Sequence, residues 1–253
     1  MNSLFVGGII FASAFGGATF GAVLRGHLPE HHLRKQSQEV IIIAMGLVAS
    51  MVALVLGLLI ASATSEFSSQ KSELEQLGTD IILVDRALAH YGPEAETARE
   101  TLKQALQDFL DRHWPNSIFK FEEQQNSPFN VNGERVLNAI RALHPANEQQ
   151  RAIQQHALEL FRDAARTRWQ LSQHDETSIP RPFLIVLAFW LFVLFTSFGL
   201  FSPNNGTVIV VLLVCALSIA AAVMLIVDLD HPFEGLIQLP DTPLRRVLTH
   251  LGK

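Results

Sequence analysis

The stretch Val40–Ala63 reads VIIIAMGLVASMVALVLGLLIASA and decides the fold, because it is apolar or small from end to end. A helix of this length can cross the hydrocarbon core of a bilayer. The chain then turns polar but keeps a helical period, and no proline interrupts it before Gly92-Pro93. We therefore predict one continuous helix that begins in the membrane and continues beyond it.

The polar continuation of this helix carries an apolar seam at alternating three- and four-residue steps, broken once by the polar Gln70. Such a heptad pattern is typical of a helix that packs against other helices in water. The pattern therefore predicts that the continuation belongs to a helical bundle. The seam residues are Phe67, Leu74, Leu77, Ile81, Val84, Leu88 and Tyr91.

Four apolar runs satisfy the length rule for a spanning helix. None of them contains Asp, Glu, Lys or Arg, which argues against a coupled transporter, because such proteins move charge through ionisable groups in the membrane. An even number of spans places both termini and the segment Thr64–Arg181 on one side. The sequence thus predicts an integral membrane protein. The runs are Ser3–Leu24, Val40–Ala63, Pro182–Phe201 and Thr207–Val227.

The segment Thr64–Arg181 shows helical periods separated by Pro, Gly and Asn, and it shows no strand pattern. We therefore predict an all-α fold with four transmembrane helices and an extramembrane helical domain inserted between the second and third. The predicted parts are 1–63 (helices 1 and 2), 64–181 (helical domain), 182–228 (helices 3 and 4) and 229–253 (tail).

Composition and motifs exclude several classes of protein. The net charge is −5 and no basic cluster indicates nucleic acid. Cys215 is the only cysteine, so no intrachain disulfide or zinc framework exists. The sequence contains no GxSxG, Walker A, GxGxxG, HExxH or CxxC motif. We therefore expect no enzyme activity, no catalytic residue and no bound cofactor.

Rows of small residues mark the first two spans. Gly17 and Gly21 form a GxxxG pair, which lets helices approach closely, either within one subunit or between subunits. The second span has a small-residue face that would either pack against a helix or line a narrow apolar pore. Packing is the default interpretation. The residues of this face are Gly46, Ser50, Ala53, Gly57 and Ala61.

Two polar segments could bind metal, although simpler interpretations exist. The predicted loop Arg25–Glu39 holds three His and three Lys/Arg, and we interpret it as a solvated interfacial loop rather than as a metal or pH-sensing site. Asp228, Asp230 and Glu234 end the fourth span. Their oxygens suit Ca²⁺, but such residues more commonly mark where a helix leaves the hydrocarbon.

The tail after these acids predicts a short amphipathic helix. Thr242 before Pro243 is typical of an N-cap followed by a first-turn proline. Leu244, Val247, Leu248 and Leu251 then share one apolar face. We expect this helix to lie against either the lipid headgroups or the helical domain.

The string DLDHPFEGLIQLPDTPLRRVL, from Asp228 to Leu248, resembles the C-terminal signature of the bacterial bestrophin-like domain family. Four further strings resemble the family in order and spacing, so the resemblance covers nearly the whole chain. They are LPEHHL at Leu28–Leu33, ALVLGLLIASA at Ala53–Ala63, LAHYGPEA at Leu88–Ala95 and FGLFSPNNGTV at Phe198–Val208.

The resemblance implies a four-span protein of the bacterial plasma membrane. The family name further points to bestrophins, which are homopentameric anion channels with a cytosolic helical domain. The resemblance therefore implies a homo-oligomer, a pentamer by analogy, with a cytoplasmic helical domain. One departure is clear: bestrophins narrow the pore with aromatic residues on the second span, and Val40–Ala63 has none.

Two functions are consistent with these observations. In the first, the protein is a passive channel for small anions, with the second span lining the pore. In the second, it is a non-conducting membrane scaffold or sensor whose helical domain binds a partner. The lysines and arginines around the spans do not decide the orientation, because a segment as long as Thr64–Arg181 is largely exempt from the positive-inside rule.

Overall fold

A computed structural model of the chain describes residues 3–27, 35–114, 129–173, 181–202, 205–230 and 237–252. These residues form eight α-helices and one 3-10 turn at Pro93–Ala95, with no strand among them. The all-α fold class predicted from the sequence is confirmed. The helices are α1 (Ser3–His27), α2 (Lys35–Tyr91), α3 (Glu96–His113), α4 (Phe129–Arg141), α5 (Glu148–Gln173), α6 (Arg181–Phe201), α7 (Gly206–Leu229) and α8 (Thr242–His250).

Four of these helices, α1, α2, α6 and α7, are long and apolar enough to cross a membrane. Their most apolar windows have mean hydropathies of 1.7, 2.7, 2.5 and 3.1 respectively. The four spans predicted from the apolar runs are therefore confirmed as candidate membrane helices. The side on which the segment between α2 and α6 lies stays a prediction.

Helix α2 runs for 57 residues without a break. At 1.5 Å per residue its length is about 85 Å, so the predicted continuous helix is confirmed. The helix ends at Tyr91, and the next residue, Gly92, has a φ of 125°, which glycine adopts readily and which strains other residues. Pro93 follows and starts the 3-10 turn, since a proline at the first position of a helix loses no internal hydrogen bond.

The chain divides into two compact units. The first unit comprises Met1–Phe67 and Thr177–Gln238, and the second comprises Ser68–Glu176 and Leu239–Lys253. Helix α2 supplies residues to both units. The apolar helices α1, α6 and α7 belong to the first unit, and α3, α4, α5 and α8 belong to the second.

In the first unit, glycines bring α1 and α6 into close contact. A Cβ atom on Gly17 would lie 2.5 Å from the carbonyl oxygen of Phe192, and one on Gly21 would overlap the carbonyl of Thr196. Gly199 of α6 lies equally close to the backbone of α1. The Ser13 hydroxyl also donates a hydrogen bond of 2.7 Å to the carbonyl oxygen of Ala188. The GxxxG row therefore packs within one chain.

In the second unit, the seam of α2 is buried from Leu74 to Tyr91, as the heptad pattern predicts. Gln70, the polar interruption of the seam, is also buried, with 1% of its surface exposed. Two buried carboxylates of α2 have side-chain partners. Asp85 pairs with Arg99 of α3, and Asp80 accepts a hydrogen bond of 3.2 Å from the Thr167 hydroxyl of α5. The unit thus combines an apolar seam with matched polar contacts.

The tail helix α8 packs against the other helices of the second unit. Of the two locations that the sequence left open, the lipid headgroups and the helical domain, the structure therefore favours the helical domain. Leu244, Val247 and Leu251 are buried there. A Cβ on Gly78 of α2 would lie 3.2 Å from a methyl group of Val247, so this glycine leaves room for α8. The carbonyl oxygen of Leu239, which lies just before α8, accepts a hydrogen bond of 2.8 Å from the indole N–H of Trp114.

Two local expectations need correction. Helix α8 begins at Thr242 with Asp241 as its cap, one residue earlier than predicted, and the Asp241 carboxylate pairs with Arg245 in the first turn. The segment Arg25–Glu39 is partly helical, because α1 extends to His27 and α2 starts at Lys35. Residues 28–34, which carry the other two histidines of that segment, lie outside the described residues.

Candidate functional site

The small-residue face of α2 is exposed along its whole length. We call Gly46, Ser50, Ala53, Gly57 and Ala61 the α2 stripe, and all five are exposed on the first unit. A Cβ atom added to Gly46 or to Gly57 would meet nothing within 4 Å. The α2 stripe therefore does not pack against the part of the chain that the structure describes.

A different face of α2 holds the helix in the first unit. Val52, Leu59 and Ala63 are buried, with exposed fractions of 6%, 7% and 0%. At 100° per residue these positions lie about 140° around the helix from the centre of the α2 stripe. The stripe thus points away from the core of its own unit.

Large apolar side chains flank the α2 stripe. Leu47, Leu54 and Leu58, which we call the α2 ridge, are 67%, 71% and 62% exposed. They lie about 80° around the helix from the α2 stripe, on the side away from Ala49. One helix therefore presents a row of small residues beside a row of large ones.

The chemistry of the α2 stripe is almost neutral. Its one hydroxyl, on Ser50, donates a hydrogen bond of 2.9 Å to the carbonyl oxygen of Gly46 within the same helix. The apolar run that contains the stripe has no ionisable residue. The stripe can admit a close helix or border a narrow passage, and it offers no group that could couple transport to proton transfer.

Asp228, at the end of α7, makes a set of contacts that we call the Asp228 clasp. Asp228 is buried, with 1% of its surface exposed. Its Oδ1 accepts a hydrogen bond of 3.1 Å from the Ser3 hydroxyl, and its Oδ2 accepts one of 2.9 Å from the backbone N–H of Ile237. Asp228 therefore joins the start of α1, the end of α7 and the segment that follows α7.

This clasp bears on the suggested calcium site. Asp230, two residues after Asp228, is also buried, with 4% of its surface exposed. Glu234 lies outside the described residues. Within the described ranges, no group of three or more His, Cys, Asp or Glu side chains is placed to hold a metal ion. Both oxygens of Asp228 already accept hydrogen bonds from the protein. Calcium binding stays a prediction for these residues.

Sequence reasoning did not detect three of these relationships. Ser3 and Asp228 are far apart in the chain, and only folding of α1 against α7 brings them together. Arg25 donates a hydrogen bond to the carbonyl oxygen of Ser202 at the end of α6. The sequence also did not decide whether the α2 stripe is exposed or buried. The available signal was the absence of large residues along that face.

Comparison with known proteins supports the resemblance noted in the sequence. The family model described as "Bestrophin-like domain" matches residues 12–244. Neither the curated proteins nor the solved structures provide a significant match. The match includes the whole of α2, α6 and α7 and most of α1. Its extent and the four apolar helices establish that this chain is a membrane protein that belongs to the Bestrophin-like domain family.

Proposed function

We propose that the protein is a homo-oligomeric, passive channel for small anions in which α2 lines the pore. The observation that supports this proposal best is the exposure of the α2 stripe on a helix anchored by its opposite face. An exposed face of small residues in a membrane helix favours close contact with another helix or with a narrow pathway. Membership of the Bestrophin-like domain family is consistent with contact between copies and with a narrow pathway.

The neighbouring rows on α2 suggest how copies would assemble. The α2 ridge of one copy has the shape to pack beside the α2 stripe of the next, which is a contact between two different surfaces. Contacts of this heterologous type close into a ring when the rotation permits. A ring of α2 helices would leave part of each stripe facing a central axis. A pentamer is the ring size that the family resemblance favours.

Passive conduction follows from the charge distribution. The four spans contain no Asp, Glu, Lys, Arg or His in their apolar runs, so they lack the residues that usually couple flux to protons. We further propose that the protein is not an enzyme, that it lies in the bacterial plasma membrane and that its helical domain is cytoplasmic. Labelling of single cysteines at Ser37 and Ser127 from each side of the membrane would test the orientation.

The decisive test is conductance of the purified protein in planar bilayers. We expect chloride current from the wild type and its loss in Ser50→Trp, because the indole would fill the narrow pathway. Ser218→Trp is the matched control, since Ser218 is also an exposed serine of a candidate span that bonds to a carbonyl of its own helix, at 2.8 Å. The control should conduct.

Assembly is measured separately by native mass spectrometry in mild detergent. A single oligomer is expected for the wild type, for Ser50→Trp and for Ser218→Trp. Loss of the oligomer in Ser50→Trp would mean that Ser50 lies in the contact between copies and not on the pore axis, because overpacking separates helices. A monomeric wild type would contradict the oligomer.

A non-conducting scaffold or sensor is the second candidate. It is favoured by Trp169 of α5, which is 65% exposed on the second unit, because exposed tryptophans are enriched at the centres of protein interfaces. The absence of aromatic residues along α2 between Val40 and Ala63 also favours it. Wild-type protein that forms a stable oligomer but carries no chloride current over a wide range of voltage, pH and Ca²⁺ would support the scaffold.

A further inference from the structure

The first unit contains an apolar groove between α2, α6 and α7. Its volume is about 630 Å³, and its walls are almost entirely carbon. We call it the α2–α7 groove. It is lined by Gly46 and Ala49 of α2, Phe198 and Phe201 of α6, and Val208 and Val211 of α7, among others. A groove of this composition in a membrane protein suits a hydrocarbon chain.

The groove lies at one end of the apolar helices. Its lining includes Ser202, which directly follows α6, and Thr207 in the first turn of α7. On α2 the lining extends from Ile42 to Ala49, which is a rise of about 10 Å. Half of a hydrocarbon core is about 15 Å thick. The length of the groove therefore fits within one leaflet, in the part of the hydrocarbon core next to the headgroups.

A cation lies at the same end. Arg25, in the last turn of α1, donates a hydrogen bond to the carbonyl oxygen of Ser202, which lines the groove. The guanidinium is exposed, and within the described ranges no carboxylate forms an ion pair with it. An arginine has five N–H donors in a planar fork that suits phosphate. Within the described ranges the guanidinium donates to the carbonyl oxygen of Ser202, and its other N–H groups can serve a ligand.

We propose that the α2–α7 groove binds one acyl chain of an anionic glycerophospholipid, with the lipid phosphate at Arg25. The apolar walls accept the chain, and the exposed guanidinium complements the headgroup. The part of α2 that lines the groove is centred about 150° around the helix from the α2 ridge, so a copy packed on that ridge leaves the groove free. The groove shares Gly46 with the α2 stripe, so a copy packed on the stripe would border the groove at that residue. The inference does not depend on whether the protein conducts.

The test is lipid retention, measured by native mass spectrometry. Detergent-purified protein is incubated with equal amounts of phosphatidylglycerol and phosphatidylcholine that carry the same acyl chains. We expect several-fold more phosphatidylglycerol adduct on the wild type. Ala49→Trp and Val211→Trp, on opposite walls of the groove, should each lose retained lipid several-fold. Ala44→Trp introduces the same side chain at an exposed position of α2 outside the groove and should behave as wild type.

The headgroup is tested by Arg25→Gln. This variant should still bind both lipids but lose the preference for phosphatidylglycerol, and Arg25→Lys should keep it. Equal retention of lipid by the wild type and both groove-filling variants would overturn the proposal. So would an unchanged preference in Arg25→Gln. Cross-linking between copies through Ala49→Cys, in a background with Cys215→Ser, would show that a second copy fills the groove and would also overturn it.

Discussion

The guanidinium of Arg99 on α3 contacts both carboxylate oxygens of Asp85 on α2. Arg99 Nε donates to Oδ1 at 2.9 Å, and Nη2 donates to Oδ2 at 3.2 Å. The two side chains are only 12% and 4% exposed. The hydrogen bond from Arg99 to Asp85 is the main cause that raises the pKa of Arg99 above its ordinary value. This pair ties α2 to α3 inside the second unit.

Removal of one partner of this pair should be costly. Asp85→Asn would leave the Arg99 charge buried with a poorer partner, and we expect a loss of about 3 kcal/mol in the free energy of unfolding. For a chain of this size that loss lowers the unfolding midpoint by roughly 6–12 °C. Arg151→Gln is the control, because its pair with Glu148 is exposed and contributes less than about 1 kcal/mol. Equal unfolding midpoints for Asp85→Asn and Arg151→Gln would show that the pair of Asp85 with Arg99 does not stabilise the second unit.

The seam of α2 should not tolerate charge on its buried side. Val84 is fully buried, so Val84→Asp should lower the free energy of unfolding by about 3–5 kcal/mol. The adjacent Leu83 is 45% exposed, and Leu83→Asp should change the midpoint by a few degrees at most. Thermal unfolding of both variants in detergent checks this. A wild-type midpoint for Val84→Asp would mean that the seam is not buried.

The close contact of α1 and α6 predicts opposite outcomes for two similar substitutions. Gly21→Ala would place a methyl group on the carbonyl of Thr196 and should cost about 1–3 kcal/mol. Gly16→Ala has nothing within 4 Å and gains helix propensity, so its midpoint should be equal to or slightly above that of the wild type. If both variants raise the midpoint, the GxxxG row does not pack on α6.

The space above Gly78 should control the attachment of α8. Gly78→Phe would displace Val247 and Leu244, which lie 3.2 and 3.4 Å from the position of a Cβ atom. We expect faster proteolytic removal of the C-terminal segment in this variant. Thr79→Phe places the same ring at an exposed neighbouring position and should leave the rate unchanged. Equal rates would show that α8 does not rest on Gly78.

The Asp228 clasp can be distinguished from a calcium site. Asp228→Ala leaves the Ser3 hydroxyl and the Ile237 N–H without their acceptor, and we expect a loss of about 2 kcal/mol whether or not Ca²⁺ is present. Ser3→Ala should lose less, because one acceptor contact of Asp228 remains. A wild-type midpoint that rises with added Ca²⁺, but not in Asp228→Ala, would instead support calcium binding.

Much of the fold follows from local sequence alone. Uninterrupted apolar runs predict spanning helices because a membrane helix must satisfy its backbone internally over a fixed length. The seam from Leu74 to Tyr91 predicts a buried face because its period matches that of a helix. The stop at Gly92-Pro93 follows from the backbone limits of these two residues. Each of these features depends on neighbours in the chain.

Other features depend on which helices meet. The sequence could not tell whether Gly17 and Gly21 pack within the chain, because a GxxxG row suits any close helix, and α6 supplies that helix. It could not join Ser3 to Asp228, since the two are 225 positions apart and pair only when α1 lies along α7. The face of α2 that carries Gly46 and Gly57 was ambiguous for the same reason. Apolar patterning in lipid does not separate core from surface, so tertiary contacts decided which face of α2 is buried and which is exposed.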